Sequence, residues 1–172
     1  MHRAFAAAVI SLFAVAAGSS FADEVKATIE KTHLCCNSCV KGAEKAVSSV
    51  SGAKATCDRK AETITVTAPD AATAQKAVDA LCEAGYFGKA TGATMKDDSG
   101  ASAGSVDSAT VSGFHNCCKK CTTSINDTIK KVPGAKGELA AKAVTVKVTG
   151  GYDGAKLVQA LNEAGFHAKL AK

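Results

Sequence analysis

The segment His33-Leu34-Cys35-Cys36-Asn37-Ser38-Cys39 returns 82 residues later as His115-Asn116-Cys117-Cys118-Lys119-Lys120-Cys121, the same H-x-C-C-x-x-C pattern. The correspondence continues downstream. Val50-Ser51-Gly52-Ala53-Lys54 matches Val132-Pro133-Gly134-Ala135-Lys136 at that offset. Ile64-Thr65-Val66 matches Val144-Thr145-Val146, and Ala80-Leu81-Cys82-Glu83-Ala84-Gly85-Tyr86 matches Ala160-Leu161-Asn162-Glu163-Ala164-Gly165-Phe166, both at an offset of 80. A collinear series of this kind implies a tandem duplication with a two-residue deletion before the third matched element. Two copies of about 65 residues suit two small domains, because a solenoid needs three or more repeats.

Each copy carries the same pattern of elements. Val25, Ala27 and Ile29 alternate, as in a strand with one buried face. Val40, Ala43, Val47 and Val50 follow at helical spacing, and Gly52 stops that helix. Residues 53–57 and 63–68 read as two strands around the polar turn Asp58-Arg59-Lys60. Ala74, Ala77, Val78 and Leu81 form a second helical stripe ended at Gly85, and 87–91 a last strand. The second copy repeats this with Ile125, Ile129 and Val132, then Leu157, Val158 and Leu161. The predicted class is α+β: two tandem ferredoxin-like βαββαβ domains, each with two helices on one face of a four-stranded antiparallel sheet. The expected domains are 23–92 and 107–172. Residues 93–106, rich in Gly, Ser, Ala and Asp, read as a flexible linker.

Residues 1–22 have a different character. Arg3 precedes an uncharged run from Ala4 to Gly18, and Ser20-Phe21-Ala22 places small residues at the −3 and −1 positions of a cleavage site. This predicts a cleavable signal peptide and a periplasmic or secreted protein. The run is shorter than the ~20 residues of a spanning helix, so no stable membrane insertion is expected after cleavage. The net charge is +5, but the lysines are scattered and aromatic residues make up only 5% of the chain. Without a dense basic stripe and stacking platforms, a nucleic-acid groove is not expected.

An exported chain with eight cysteines ordinarily suggests a disulfide framework. Here six of the eight fall in two tight clusters, where the first strand of each copy gives way to the first helix. Two intervening residues let both sulfurs of Cys-x-x-Cys turn toward one point. The second cysteine lies at a helix N-terminus, where N–H groups and the dipole favour a thiolate. Thiolates select soft ions.

Both copies resemble the heavy-metal-associated domain, whose loop reads G-M-x-C-x-x-C. That family includes copper chaperones, the periplasmic mercury-binding protein and the N-terminal modules of metal-transporting ATPases. The resemblance covers residues 25–92 and 107–172 and extends to Gly85-Tyr86 and Gly165-Phe166. It implies metal ligation by Cys36 and Cys39 in the first copy and by Cys118 and Cys121 in the second. The implied cargo is a soft ion, Cu(I) or Hg(II), with Zn(II) an alternative. The implied partner is a metal transporter or another metal-binding domain. The exported location resembles the mercury-binding protein.

The chain departs from the family pattern at the motif Met, replaced by Leu34 and Asn116, and at the motif Gly, replaced by His33 and His115. Leu fills the packing role of Met; Asn116 fits it poorly. An extra cysteine, Cys35 or Cys117, precedes each motif, either as a third ligand or as a core-facing thiol. His33 and His115 read as supporting or solvated residues, His167 as a surface residue, and Tyr86 and Phe166 as shields against water. Cys57 and Cys82 have no counterparts and read as buried thiols or a disulfide. Lys119 and Lys120 predict more acidic thiols in the second cluster than beside the neutral Asn37-Ser38.

The leading expectation is therefore a non-enzymatic carrier that captures a soft ion and passes it on by ligand exchange. A thiol–disulfide oxidoreductase is the catalytic alternative. It is disfavoured because Pro69 and Pro133 are the only prolines and neither is duplicated. A structural alternative joins Cys36, Cys39, Cys118 and Cys121 around one zinc clamped between the copies.

Overall fold

The computed structural model describes residues 24–171; the signal-peptide segment lies outside the described residues. The first half runs β1 (Val25–Glu30), α1 (Asn37–Ser48), β2 (Lys54–Asp58), β3 (Thr63–Ala68), α2 (Ala71–Glu83) and β4 (Lys89–Thr91). Its antiparallel sheet has the order β2-β3-β1-β4, so β1 sits centrally and feeds directly into the cysteine loop. Alternation puts Ala27 and Ile29 of β1, and Ile64, Val66 and Ala68 of β3, on the buried face. Ala43 and Val47 of α1 and Ala74, Ala77, Val78 and Leu81 of α2 cover that face. This is the βαββαβ arrangement expected of ferredoxin-like folds.

The second half runs β5 (Ser105–Ser112), α3 (Lys119–Lys131), β6 (Thr145–Asp153), α4 (Gly154–Glu163) and β7 (Lys169–Ala171), with the order β6-β5-β7. It departs from the expected four strands. The counterpart of β2 is reduced to one bridge between Lys136 and Thr149. The sequence Gly137-Glu138-Leu139-Ala140-Ala141-Lys142 has neither alternation nor β-branched residues, so little favours a strand there. Asn126 of α3 replaces the missing ladder locally. Its Oδ1 accepts from Leu139 N (2.7 Å) and its Nδ2 donates to Leu139 O (3.1 Å). With no strand beside it, Val144 is 63% exposed, whereas its counterpart Ile64 is fully buried. Val50 and Val132, expected on helices, fall just beyond them.

The linker expectation also needs correction. β5 begins at Ser105, with Val106 buried and paired to Tyr152, so only 92–104 joins the two sheets. That stretch is tied down rather than free. Thr94 exchanges two hydrogen bonds with the Gln75 side chain (2.8 and 2.9 Å). Leu170 N donates to Ser99 O (2.7 Å). Asp98 lies 2.7 Å from Lys169 Nζ and 2.8 Å from His167 Nε2. His167, expected at the surface, is 2% exposed because this strap covers it.

The halves are joined by their second helix ends. In α2, Gly85 N donates to Cys82 O and Tyr86 N to Leu81 O; in α4, Gly165 N donates to Asn162 O and Phe166 N to Leu161 O. This paired pattern requires the left-handed glycine found at φ +91° and +87°. The same glycines present their carbonyls to the opposite half. Gly85 O accepts from His115 N (3.4 Å) and His167 N (3.1 Å), and Gly165 O accepts from His33 N and Phe87 N (both 3.3 Å). A Cβ on Gly85 would collide with His115 N, and one on Gly165 with His33 N.

Gly85→Ala and Gly165→Ala should therefore each cost at least about 2 kcal/mol, combining backbone strain with loss of the close approach. Urea unfolding measures this. A loss under about 0.5 kcal/mol, as at an ordinary surface position, would show that the clasp does not hold the halves.

Candidate metal centre

β1 ends at Glu30, Lys31 turns the chain at φ +58°, and the loop enters α1 with Cys36 as N-cap and Cys39 in the first turn. β5 leads into α3 in the same way, with Cys118 as N-cap and Cys121 in the first turn. The clasp brings the two helix starts together. All six motif sulfurs then fall into one cluster instead of two separate pairs.

Within each motif, Cys35–Cys39, Cys36–Cys39 and Cys117–Cys121 are 3.6 Å apart and Cys118–Cys121 is 3.8 Å. Across the halves, Cys39–Cys117 is 3.1 Å, Cys35–Cys118 3.3 Å, Cys35–Cys121 3.5 Å, Cys36–Cys117 3.6 Å and Cys39–Cys121 3.8 Å. The groups Cys35/Cys36/Cys118, Cys36/Cys39/Cys117 and Cys117/Cys118/Cys121 each lie within 4.8 Å mutually, a spacing that could hold a metal ion. Cys39 and Cys121 are fully buried at the floor, and the other four are half-buried at the rim. Cys35 and Cys117 thus point into the cluster.

The positive ends of α1 and α3 converge on these sulfurs, which favours negative charge there. The thiols divide the charge unequally. A hydrogen bond from the Cys121 thiol holds Cys39 far below the ordinary thiol range against burial, aided by His115 and Cys117. Cys121 is pushed up correspondingly, by donating to Cys39 and by burial. Burial, then the neighbouring thiols, raises Cys35 and Cys117. Burial opposes the Cys118 thiolate, yet the backbone N–H groups of Cys121 and Lys120 and the Cys35 thiol bring it down to about 7. The contribution at Lys120 is its backbone N–H, and the lysine side-chain charges are not among the main causes. The expectation that acidity belongs to the second cluster as a whole gives way to one lowered thiol in each half.

A wall of rings closes the floor. Tyr86 Oη donates to Cys39 O (2.7 Å). The His115 ring stacks on Tyr86 at 4.2 Å, and His33 packs on Phe166 at 4.4 Å. His115 Nδ1 lies 2.8 Å from Gly85 O and Nε2 3.1 Å from His33 O. The ring nitrogen that carries the proton donates to its carbonyl, which makes His115 a brace for the clasp, and His115 also lies within 4.8 Å of Cys39 and Cys121 in a group that could hold a metal ion. Asn116 also has a defined place. Its Nδ2 donates to Ala140 O (3.3 Å) and Ala143 O (2.9 Å), and its Oδ1 accepts from Thr122 Oγ1 (2.8 Å). It fastens the loop that replaces the missing strand, whereas Leu34 is buried as an apolar plug.

Cys57 and Cys82 are free thiols outside the cluster. Burial, with Glu44 nearby, pushes Cys57 up to about 11, and burial also raises Cys82. The clasp glycines and the His167–Asp98 contact were not identified by sequence reasoning, although the duplicated Gly-aromatic pairs and histidines pointed to the first.

No family model matches the chain, and no curated protein matches it. Among solved structures, the N-terminal soluble domains of Bacillus subtilis CopA align with 87% of this chain and 95% of that one, at 18% identity and a TM-score of 0.29. A likeness of that size says nothing about what this chain binds.

Two histidines near the clasp carry a pH signature. Burial lowers His167 despite Asp98 beside it, with Lys169 adding to the shift. Burial, then His115, lowers His33 to about 4, with Cys39 opposing. An unfolded chain titrates near ~6.5, so folding favours the neutral rings. Their contribution is present above about pH 6.5 and is lost as the pH falls through the lower folded-state values. The urea midpoint should drop from about pH 6.5 towards about 4, and His167→Gln should make that drop shallower. An equally steep profile in the variant would remove His167 from the account.

Proposed function

We propose that this chain is an exported carrier of a soft metal ion, Cu(I) or Hg(II), that holds its cargo through Cys36, Cys39, Cys118 and Cys121 and releases it by ligand exchange. The observation that carries this reading is the convergence of the cysteine loops: six sulfurs face one another at two helix starts. Such a donor set is dominated by soft sulfur, which favours thiophilic ions over hard cations. Half-buried rim sulfurs suit exchange with an incoming thiolate. The chemistry is binding, not catalysis, and the recipient is a metal transporter or another metal-binding domain. Export rests on residues 1–22 as a signal peptide.

The test is competition for metal by reduced mature protein, residues 23–172. Cu(I) or Hg(II) should be retained against a large excess of Zn(II). Cys39→Ser with Cys121→Ser should weaken retention by about 100-fold or more, beyond what loss of a supporting contact does. Retention of neither soft ion, together with rapid catalysis of insulin disulfide reduction, would replace the carrier with an oxidoreductase.

A further inference from the structure

The cysteine pairs in contact, together with Cys35–Cys36, Cys36–Cys118 and Cys117–Cys118 within 4.8 Å, are the edges of an octahedron. Its opposite corners are Cys35 and Cys117, Cys36 and Cys121, and Cys39 and Cys118. Every triangular face mixes sulfurs from both halves, except Cys35/Cys36/Cys39 and Cys117/Cys118/Cys121. The face Cys36/Cys39/Cys117, with edges of 3.6, 3.6 and 3.1 Å, has its centre about 2.0 Å from each corner. That is close to the roughly 2.3 Å of a metal–thiolate bond.

We propose that the six sulfurs form one polynuclear site, in which up to four monovalent soft ions sit on alternate faces of the octahedron and each thiolate bridges two of them. This rests on the soft-metal reading and gives it a stoichiometry. Ions on adjacent faces would lie less than half an edge apart, well inside contact distance, so only alternate faces can fill together. Four alternate faces use every corner twice and give each ion three sulfurs.

The two Cys-x-x-Cys pairs alone do not reproduce this. Cys36, Cys39, Cys121 and Cys118 follow one another around the octahedron's equator, with Cys36 opposite Cys121 and Cys39 opposite Cys118. That ring is square, whereas a zinc tetrathiolate is tetrahedral. Cys35 and Cys117 are the apices that turn the square into triangular faces. They accordingly have a bridging role, which explains why the motif carries a cysteine before each pair. The charges balance simply: the sulfurs still protonated release their protons, four monovalent cations enter, and six thiolates with four cations leave two net negative charges. No electron is transferred. The N-termini of α1 and α3 face that residual charge, and Arg59 adds a cation at the rim, its Nη2 donating to Cys35 O at 3.0 Å.

Native mass spectrometry of the reduced mature protein, titrated with Cu(I) as a monovalent probe, tests the proposal. The expected result is a four-ion species that appears together with apo-protein, with one- to three-ion species scarce. X-ray absorption of the loaded protein should show three sulfurs per copper and a neighbouring heavy atom. Cys35→Ser with Cys117→Ser keeps both Cys-x-x-Cys pairs and should reduce capacity from four ions to two or fewer. Each single variant serves as the control for folding, checked by circular dichroism. Saturation at one ion, or at two independent ions, in the unsubstituted protein would overturn the polynuclear site while leaving a soft-metal carrier standing. Unchanged four-ion loading in the double variant would overturn the bridging role. Failure to bind Cu(I) or Hg(II) at all would instead overturn the carrier reading.

Discussion

Each half of this protein ends its second helix with a glycine whose carbonyl is claimed by the opposite half. Gly85 O and Gly165 O each accept from backbone N–H groups across the boundary, and a side chain at either glycine would prevent the approach. The stacked rings of Tyr86, His115, His33 and Phe166 fill the space around this clasp. The sulfur cluster depends on it completely. Without it, α1 and α3 would present two dithiol loops to solvent; with it, their N-termini meet and six sulfurs close into one cage.

Crowding six ionisable groups at contact distance would be costly if all were charged. The structure limits the charge. Cys35, Cys117 and Cys121 are pushed toward the neutral thiol, while Cys39 and Cys118 are drawn toward the thiolate. The lowered pair occupies opposite corners, the largest separation the cage allows. The thiols of Cys35, Cys117 and Cys121 lie within hydrogen-bond distance of neighbouring sulfurs, so each S–H both neutralises one sulfur and stabilises its neighbour. Soft cations replacing those hydrogens would serve the same purpose with stronger bonds, which connects the electrostatics of the cluster to the proposed cargo.

The first half was legible almost element for element, because its alternating and helical stripes are unbroken from Val25 to Leu81. The cysteines of the cage were legible as well, through their duplication. Their convergence was not, because each loop is only half of the site and the decisive contacts are backbone hydrogen bonds at Gly85 and Gly165. The repeated Gly-aromatic pairs signalled importance without indicating that they faced each other. The second half misled at residues 136–144, where alignment with a strand outweighed a local sequence that favours none. Asn116 and Asn126 were the available clues. Polar residues in core-facing positions imply backbone partners nearby, and both bind the irregular loop.

The two halves are therefore related without being equivalent, and the difference bears on exchange. Leu34 plugs the first loop from within, while Asn116 ties the second loop to a segment lacking strand support. Arg59 spans the first loop through Asn37 Oδ1 and Cys35 O; in the second, Lys119 and Lys120 are exposed at the helix start. For the transfer we propose, Cys35, Cys36, Cys117 and Cys118 are the half-buried sulfurs at the rim, and Cys39 and Cys121 lie fully buried beneath them. An incoming thiolate meets the half-buried rim sulfurs before the fully buried ones. In the proposed transfer the half-buried rim sulfurs are therefore the first points of contact for an incoming thiolate, and the two loops that carry them are braced differently.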